Sequence, residues 1–110
     1  TKPHNWKLKE NFAADATSLL AAFREANPEV KLYLCLPVPA FPGNFGITEE
    51  VIAGGAIPEI RRVAEEEKIP LIDLHTLLAD RAELVPDKVH PNAEGATLMA
   101  EAVEAAITQP

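Results

Sequence analysis

The 110 residues carry 47% hydrophobic and 25% charged side chains, an ordinary globular balance rather than a disordered one, and suffice for a single domain. A net charge of −7 argues against a DNA or RNA surface, which needs clustered Lys and Arg, and no apolar run reaches the roughly 18–20 residues of a membrane span. The single cysteine, Cys35, rules out an internal disulfide framework and a thiolate zinc site.

Residues 8–26 are predicted to form an amphipathic helix. Leu8, Phe12, Ala16, Leu19, Leu20 and Phe23 recur at helical spacing, and Asn27-Pro28 stops the pattern. Lys31–Leu36, bounded by Pro28 and Pro37, is too short for a helix and reads as a buried strand. A turn-rich loop comes next, over Pro37–Gly46. Residues 48–68 look helical but interrupted at Gly54, Gly55 and Pro58, which predicts a short helix, a break, and a second helix over Ala56–Lys68. Its inner stripe is Ile57, Ile60, Val63 and Ala64, and Pro58 suits the first turn. The run Glu65–Glu67 reads as a solvated helix face rather than a metal site. Ile69–Leu74 is a second short strand, followed by a helical turn or two around Thr76–Arg81 and an irregular stretch, Ala82–Pro91. A last helix spans Asn92–Ile107, with Met99, Ala102, Val103, Ala106 and Ile107 as its apolar stripe.

Strand–helix–strand order implies a parallel sheet with a right-handed crossover. Two strands with three substantial helices cannot shield both faces and both edges of such a sheet. The chain also begins at Thr1, and its only methionine is Met99. Both features lead to the expectation that these residues are the C-terminal part of a larger α/β domain whose N-terminal part is missing.

Ligands of open α/β sheets bind outside the carboxyl ends of the strands. Three segments are expected to meet on that rim: Thr1–Asn5, Pro37–Gly46 and Asp87–Pro91. In Asp87-Lys88-Val89-His90 the carboxylate can curl back to accept the imidazole Nδ1–H, which fixes the tautomer and leaves Nε2 as a base. Equally open from spacing alone is a structural role in which Asp87 and His90 cap a turn and the last helix. Pro91 fits the first helical position.

Asp87-Lys88-Val89-His90-Pro91-Asn92-Ala93-Glu94-Gly95, opening a final helix, resembles the last sequence block of the SGNH (GDSL-type) hydrolases. Ile69–Leu74 resembles that family's penultimate strand, and the helix with Ile60-Arg61-Arg62-Val63-Ala64 resembles the one before it. Thr1-Lys2-Pro3-His4-Asn5-Trp6 is similar to the segment directly after the Gly-x-Asn-Asp block of sialate and other carbohydrate O-acetylesterases, and Pro37–Phe41 is similar to the same branch. The resemblance implies the C-terminal part of a three-layer α/β/α, flavodoxin-like fold with a parallel sheet. It also implies that Asp87 and His90 are catalytic, His90 as general base and Asp87 as its orienting acid. The reaction so implied is acyl transfer: His90 takes a proton from a serine hydroxyl as it attacks an ester carbonyl, then activates water to release the acyl-enzyme.

The family's nucleophilic Ser and its Gly and Asn oxyanion donors, each worth about 3–4 kcal/mol, lie upstream of this stretch. The only serine here, Ser18, sits in a helical pattern with no glycine nearby and lacks the sharp turn a nucleophile needs. Cys35, mid-strand, is read as a small core residue rather than a thiolate nucleophile. Phe41 and Phe45 either wall the alcohol or acyl pocket or belong to a rigid connector; Trp6 either stacks on a sugar or anchors a core.

Asp73-x-His75 reads as a local turn bond with no third ligand at suitable spacing, and His4 as a terminal residue near the rim. No metal and no cofactor are expected. The implied partners are a small-molecule or carbohydrate ester, most simply an O-acetyl ester, and the missing N-terminal part of the same domain; nucleic acid and membrane are not expected. Secretion or a periplasmic location is compatible with the resemblance, but the compartment stays open. The rivals are a non-catalytic α/β fragment or binding module, with Asp87 and His90 only capping the last helix, and an unrelated α/β enzyme using both with a partner chain.

Overall fold

The computed structural model describes residues 8–42 and 46–108. Helix α1, Phe12–Ala26, comes after a 3₁₀ turn at Lys9–Asn11. Its buried side is narrower than the apolar periodicity predicts. Leu20 is buried, Ala13 and Ala16 pack beside it, and Leu8, Leu19 and Phe23 are exposed. The small alanines let α1 approach the neighbouring helix closely, so the ridge that faces inward is Ala13–Ala16–Leu20 rather than the row of larger side chains.

Strands β1 (Leu34–Cys35) and β2 (Leu71–Ile72) pair in parallel, with Leu34 opposite Leu71 and Cys35 opposite Ile72. Ladder bonds run from Leu34 N–H to Pro70 O at 3.0 Å and from Leu36 N–H to Ile72 O at 2.9 Å. Both regular strands are shorter than the apolar runs predict, because pairing extends only where these two segments face each other. Alternation places Leu34 and Leu36 on one face and Cys35 on the other. Leu36 is buried among Ala40, Ile52 and Ile57, whereas Cys35 is exposed, so the expectation of a core cysteine is corrected. Partial desolvation of the thiol still pushes its pKa up, which disfavours the thiolate.

Within the connection from β1 to β2, residues 49–67 form one continuous helical run. Helix α2 (Glu49–Val51) passes through a π-helical stretch, Ile52–Ala56, into helix α3 (Ile57–Glu67). The expected break at Gly54, Gly55 and Pro58 is therefore absent. A proline ring clashes with the carbonyl four residues back and cannot donate to it. The π stretch widens the turn there, with Ile57 N–H bonding Ile52 O five residues back, and absorbs Pro58 without ending the helix. Val63 is buried against Leu20 of α1 and Ile69, and Ala64 is buried as well, as the predicted stripe requires. Of the acidic run, Glu65 and Glu66 are exposed, while Glu67 accepts from Arg24 through both its carboxylate (3.2 Å) and its carbonyl (2.9 Å).

Helix α3 ends in a Schellman motif. Lys68, at φ 56°, bonds Glu65 O and Ile69 N–H bonds Ala64 O. After β2, Asp73 caps helix α4 (Leu74–Leu78) by accepting from Thr76 N–H at 2.9 Å. A 3₁₀ turn, Ala82–Leu84, leads to helix α5 (Ala93–Ile107), which lies against α4, β2 and that turn. Leu78, Leu84 and Val85 are almost wholly buried in this region. Ile107, expected inside, is half exposed. No described helix is long and apolar enough to cross a membrane.

Candidate active site

Parallel register puts the segments that leave β1 and β2 at the same end of the sheet. Two of the three segments expected on that rim meet there: Phe41 N–H donates to Lys88 O at 2.9 Å. The third, Thr1–Asn5, lies outside the described residues, as do Trp6 and Phe45. Val89 packs against the Leu36–Ala40–Ile52–Ile57 cluster, so the turn is also held to the sheet by apolar contact.

The turn Asp87–His90 is organised by one carboxylate. Asp87 Oδ1 accepts the N–H groups of Val89 (2.9 Å) and His90 (2.6 Å), and Oδ2 lies 2.5 Å from His90 Nδ1. Lys88 adopts φ 77°, a left-handed conformation that costs a non-glycine residue about 1–2 kcal/mol, and this reverses the chain between the two side chains. The Val89 N–H bond, the imidazole bond and the His90 N–H bond, in that order, lower the Asp87 pKa from 3.8 to about 2. Asp87 is therefore an acceptor at any ordinary pH. With Nδ1–H donated to it, His90 has Nε2 as the free lone pair of the neutral ring. The imidazole is 78% exposed, and no other hydrogen bond to the ring occurs among the described residues.

Neither Asp87 nor His90 caps the last helix. Asn92 does, accepting from Gly95 N–H at 2.9 Å, and the helix starts at Ala93, so Pro91 lies before the cap rather than inside the first turn. Asn92 N–H bonds Leu84 O at 2.7 Å and Lys88 N–H bonds Val85 O at 3.0 Å, which closes the loop around the site.

Ser18 is exposed on α1, mid-helix, without the strained turn of a nucleophile. Asp73 and His75 do not act as a pair. Burial raises the Asp73 pKa, but the two bonds from Thr76, with Arg61 and His75 nearby, outweigh it and hold the carboxyl below its ordinary value. His75 Nε2 instead meets Glu49 Oε2 at 2.6 Å, and Glu49 Oε1 accepts Ala40 N–H at 3.0 Å. Sequence reasoning missed Glu49. It comes directly after the helix cap Thr48 and reads as a first-turn acid, with no local signal joining it to His75 or Ala40. Among the described residues, no group of three His, Cys, Asp or Glu is placed to hold a metal ion.

This fold, a parallel sheet with its helical crossover, is shared with solved esterase and acylhydrolase domains. The chain superposes on the esterase domain of the ORF1 protein of the zebrafish ZfL2-1 retrotransposon with a TM-score of 0.73. The match covers 90% of this chain and 58% of that one at 21% identity. A Bacteroides fragilis protein described as an acylhydrolase matches with a TM-score of 0.61 over 90% and 51% of the two chains, at 22% identity. The sequence model of the GDSL-like lipase/acylhydrolase family matches residues 5–98, and the chain belongs to that family. An acetylxylan esterase of Xylanibacter ruminicola is 35% identical over 125 aligned positions, covering 97% of this chain and 26% of the relative. The chain thus spans about a quarter of that curated relative and just over half of the solved domains.

Proposed function

We propose that this chain supplies the His–Asp half of a serine esterase site that hydrolyses O-acetyl esters of carbohydrates, and that it forms the C-terminal portion of a single SGNH-type domain. The observation that carries this reading is the 2.5 Å contact of Asp87 Oδ2 with His90 Nδ1, in a turn tied to the strand end with the rest of the imidazole open to solvent. Family membership supports ester hydrolysis, and the acetylxylan esterase relative supports a carbohydrate acetyl ester. The rival in which Asp87 and His90 merely cap the last helix is disfavoured by Asn92 occupying that place.

In this mechanism His90 Nε2 removes the proton of a serine hydroxyl contributed from outside residues 1–110. The serine oxygen bonds the ester carbonyl carbon and the C=O electrons move onto oxygen. Collapse of that intermediate expels the sugar alkoxide, which takes the proton from His90, and an acetyl-serine remains. His90 then deprotonates water, whose attack releases acetate and restores the serine. Asp87 holds the ring's tautomer and stabilises the imidazolium formed in each half-reaction.

The test compares three proteins on acetylated xylan and p-nitrophenyl acetate: the full-length protein, its His90→Ala variant, and residues 1–110 alone. Turnover by the full-length protein, a loss of about 10²–10⁴-fold on removing the base, and no turnover by residues 1–110 are expected. Activity retained by His90→Ala would overturn the role of His90. Activity in the isolated chain would overturn the claim that the nucleophile lies elsewhere.

A further inference from the structure

Outside the His–Asp turn, one titratable pair joins three chain segments that the reaction scheme leaves unused. Glu49 stands at the start of α2, His75 in the first turn of α4 after β2, and Ala40 in the loop after β1. The carboxylate divides itself between the other two, with Oε2 at 2.6 Å from His75 Nε2 and Oε1 accepting Ala40 N–H at 3.0 Å. Ala40 is 4% exposed, so its N–H needs a protein acceptor, and Glu49 provides it. The His75 side chain is 17% exposed, and its bond fixes the Glu49 rotamer from the far side.

The next peptide group in the loop is the one that touches the site. Phe41 N–H donates to Lys88 O, midway between Asp87 and His90. Ala40 and Phe41 are adjacent, so their N–H groups sit on neighbouring peptide planes joined at the Ala40 Cα. One is held by Glu49 and the other holds the turn. Swinging Ala40 away from Glu49 tilts the Phe41 N–H away from Lys88, and Lys88, in its left-handed conformation, is the hinge on which His90 is aimed.

We propose that Glu49, braced by His75, is a positioning residue for the esterase reaction, setting the aim of His90 through Ala40, Phe41 and Lys88. The inference rests on the role proposed above for His90. Neither Glu49 nor His75 needs to touch substrate in this arrangement. Their loss therefore misplaces the base in the transition state rather than weakening ground-state binding, and a small misplacement lowers kcat while leaving KM in place.

Glu49→Ala, Glu49→Gln, His75→Ala and His90→Ala variants of the full-length protein, assayed on p-nitrophenyl acetate, test this. Glu49→Ala should lower kcat at least fivefold with KM within twofold. Glu49→Gln should recover half or more of the loss, because its amide oxygen still accepts Ala40 N–H. His75→Ala should lower kcat two- to fivefold. A Glu49→Ala kcat within twofold of the parent, a rise in KM in place of the fall in kcat, or no recovery by glutamine would each overturn the proposal. If Glu49→Ala does not fold, His75→Ala decides: a two- to fivefold loss at constant KM supports positioning, and any other result overturns it. An inactive His90→Ala beside a fully active Glu49→Ala removes only the positioning role; an active His90→Ala removes the role of His90 as base, on which the positioning role rests.

Discussion

Phe41 donates its backbone N–H to the carbonyl of Lys88 at 2.9 Å, so the loop that leaves β1 rests directly on the turn between Asp87 and His90. Two stretches far apart in sequence thereby become one surface at the strand ends. The carbonyl that Phe41 engages belongs to a residue in the left-handed region, which an isolated chain would populate little. The bonds that Val89 and His90 make to Asp87, together with the Phe41 contact, hold that conformation in place. Alignment of the imidazole is thus a property of the fold as well as of a four-residue motif.

Asp87 should titrate at about 2, well below its ordinary 3.8. A depressed carboxyl stabilises the turn fully above the ordinary value and loses that contribution as pH falls through the folded value. The ordering effect of Asp87 is therefore expected to persist down to about pH 4 and fade toward about pH 2. Carboxyl carbon NMR of the full-length protein, tracked against pH, checks the midpoint. In His90→Ala the midpoint should rise but stay below 3.8, because the Val89 N–H bond remains.

Asp87→Asn should lower kcat of the full-length protein by about 10²–10⁴-fold, no more than the loss on removing His90. An asparagine oxygen can still accept the Val89 and His90 N–H groups, so the turn survives. Its amide cannot stabilise an imidazolium as the carboxylate does. A kcat equal to that of the parent would remove Asp87 from the reaction.

Lys68→Gly should stabilise the protein by up to about 1 kcal/mol. Lys68 holds φ 56° and ψ 47° at the end of α3, a conformation that glycine adopts without the steric cost a lysine bears. The gain is reduced by the greater freedom of glycine in the unfolded chain. The midpoint of chemical denaturation is the readout, and a lowered midpoint would show that the lysine stem packs usefully where it lies.

Leu78→Ala should cost about 2–5 kcal/mol. Leu78 is fully buried on α4, the helix that packs on α5, so truncation leaves a cavity lined by the core. The loss should appear as a lower melting temperature with the Asp87 midpoint unchanged, since the turn at Asp87–His90 does not contain this side chain.

Much of this fold is readable from sequence where one residue's chemistry dictates one local outcome. The strand positions, the Val63–Ala64 stripe and the Asp87–His90 pairing come from short apolar runs, helical period and a short loop. What resists reading is whatever depends on distant partners. Leu19 and Phe23 have the right spacing for a core, yet Ala13, Ala16 and Leu20 face inward because α3 approaches on that side. Pro58 and two glycines signal a break, but tertiary packing of Ile52, Ala56 and Ile57 holds the helix together through a π turn. Glu49 is read as a first-turn acid because its two partners, Ala40 and His75, are named only by the folded chain.

Gly95→Ala is expected to destabilise the protein, against the usual trend for a helix. Replacing glycine by alanine within a helix normally gains about 1 kcal/mol. Here the added Cβ would stand 3.0 Å from Pro91 Cβ, 3.2 Å from Leu84 O and 3.4 Å from Leu84 Cβ. None of these atoms is free to retreat. Leu84 is 2% exposed, its carbonyl accepts Asn92 N–H at 2.7 Å, and Pro91 is a rigid ring. Gly95 itself is held by the bond from its N–H to Asn92 Oδ1. Overpacking of about 1–3 kcal/mol therefore exceeds the helical gain, for a net loss of about 1 kcal/mol in stability, read from the denaturation midpoint. Because the strain falls on Pro91, next to His90, turnover should drop as well. A raised midpoint with full activity would mean that α5 can slide away from Leu84, and that the close approach at Gly95 is not what seats the last helix behind the site.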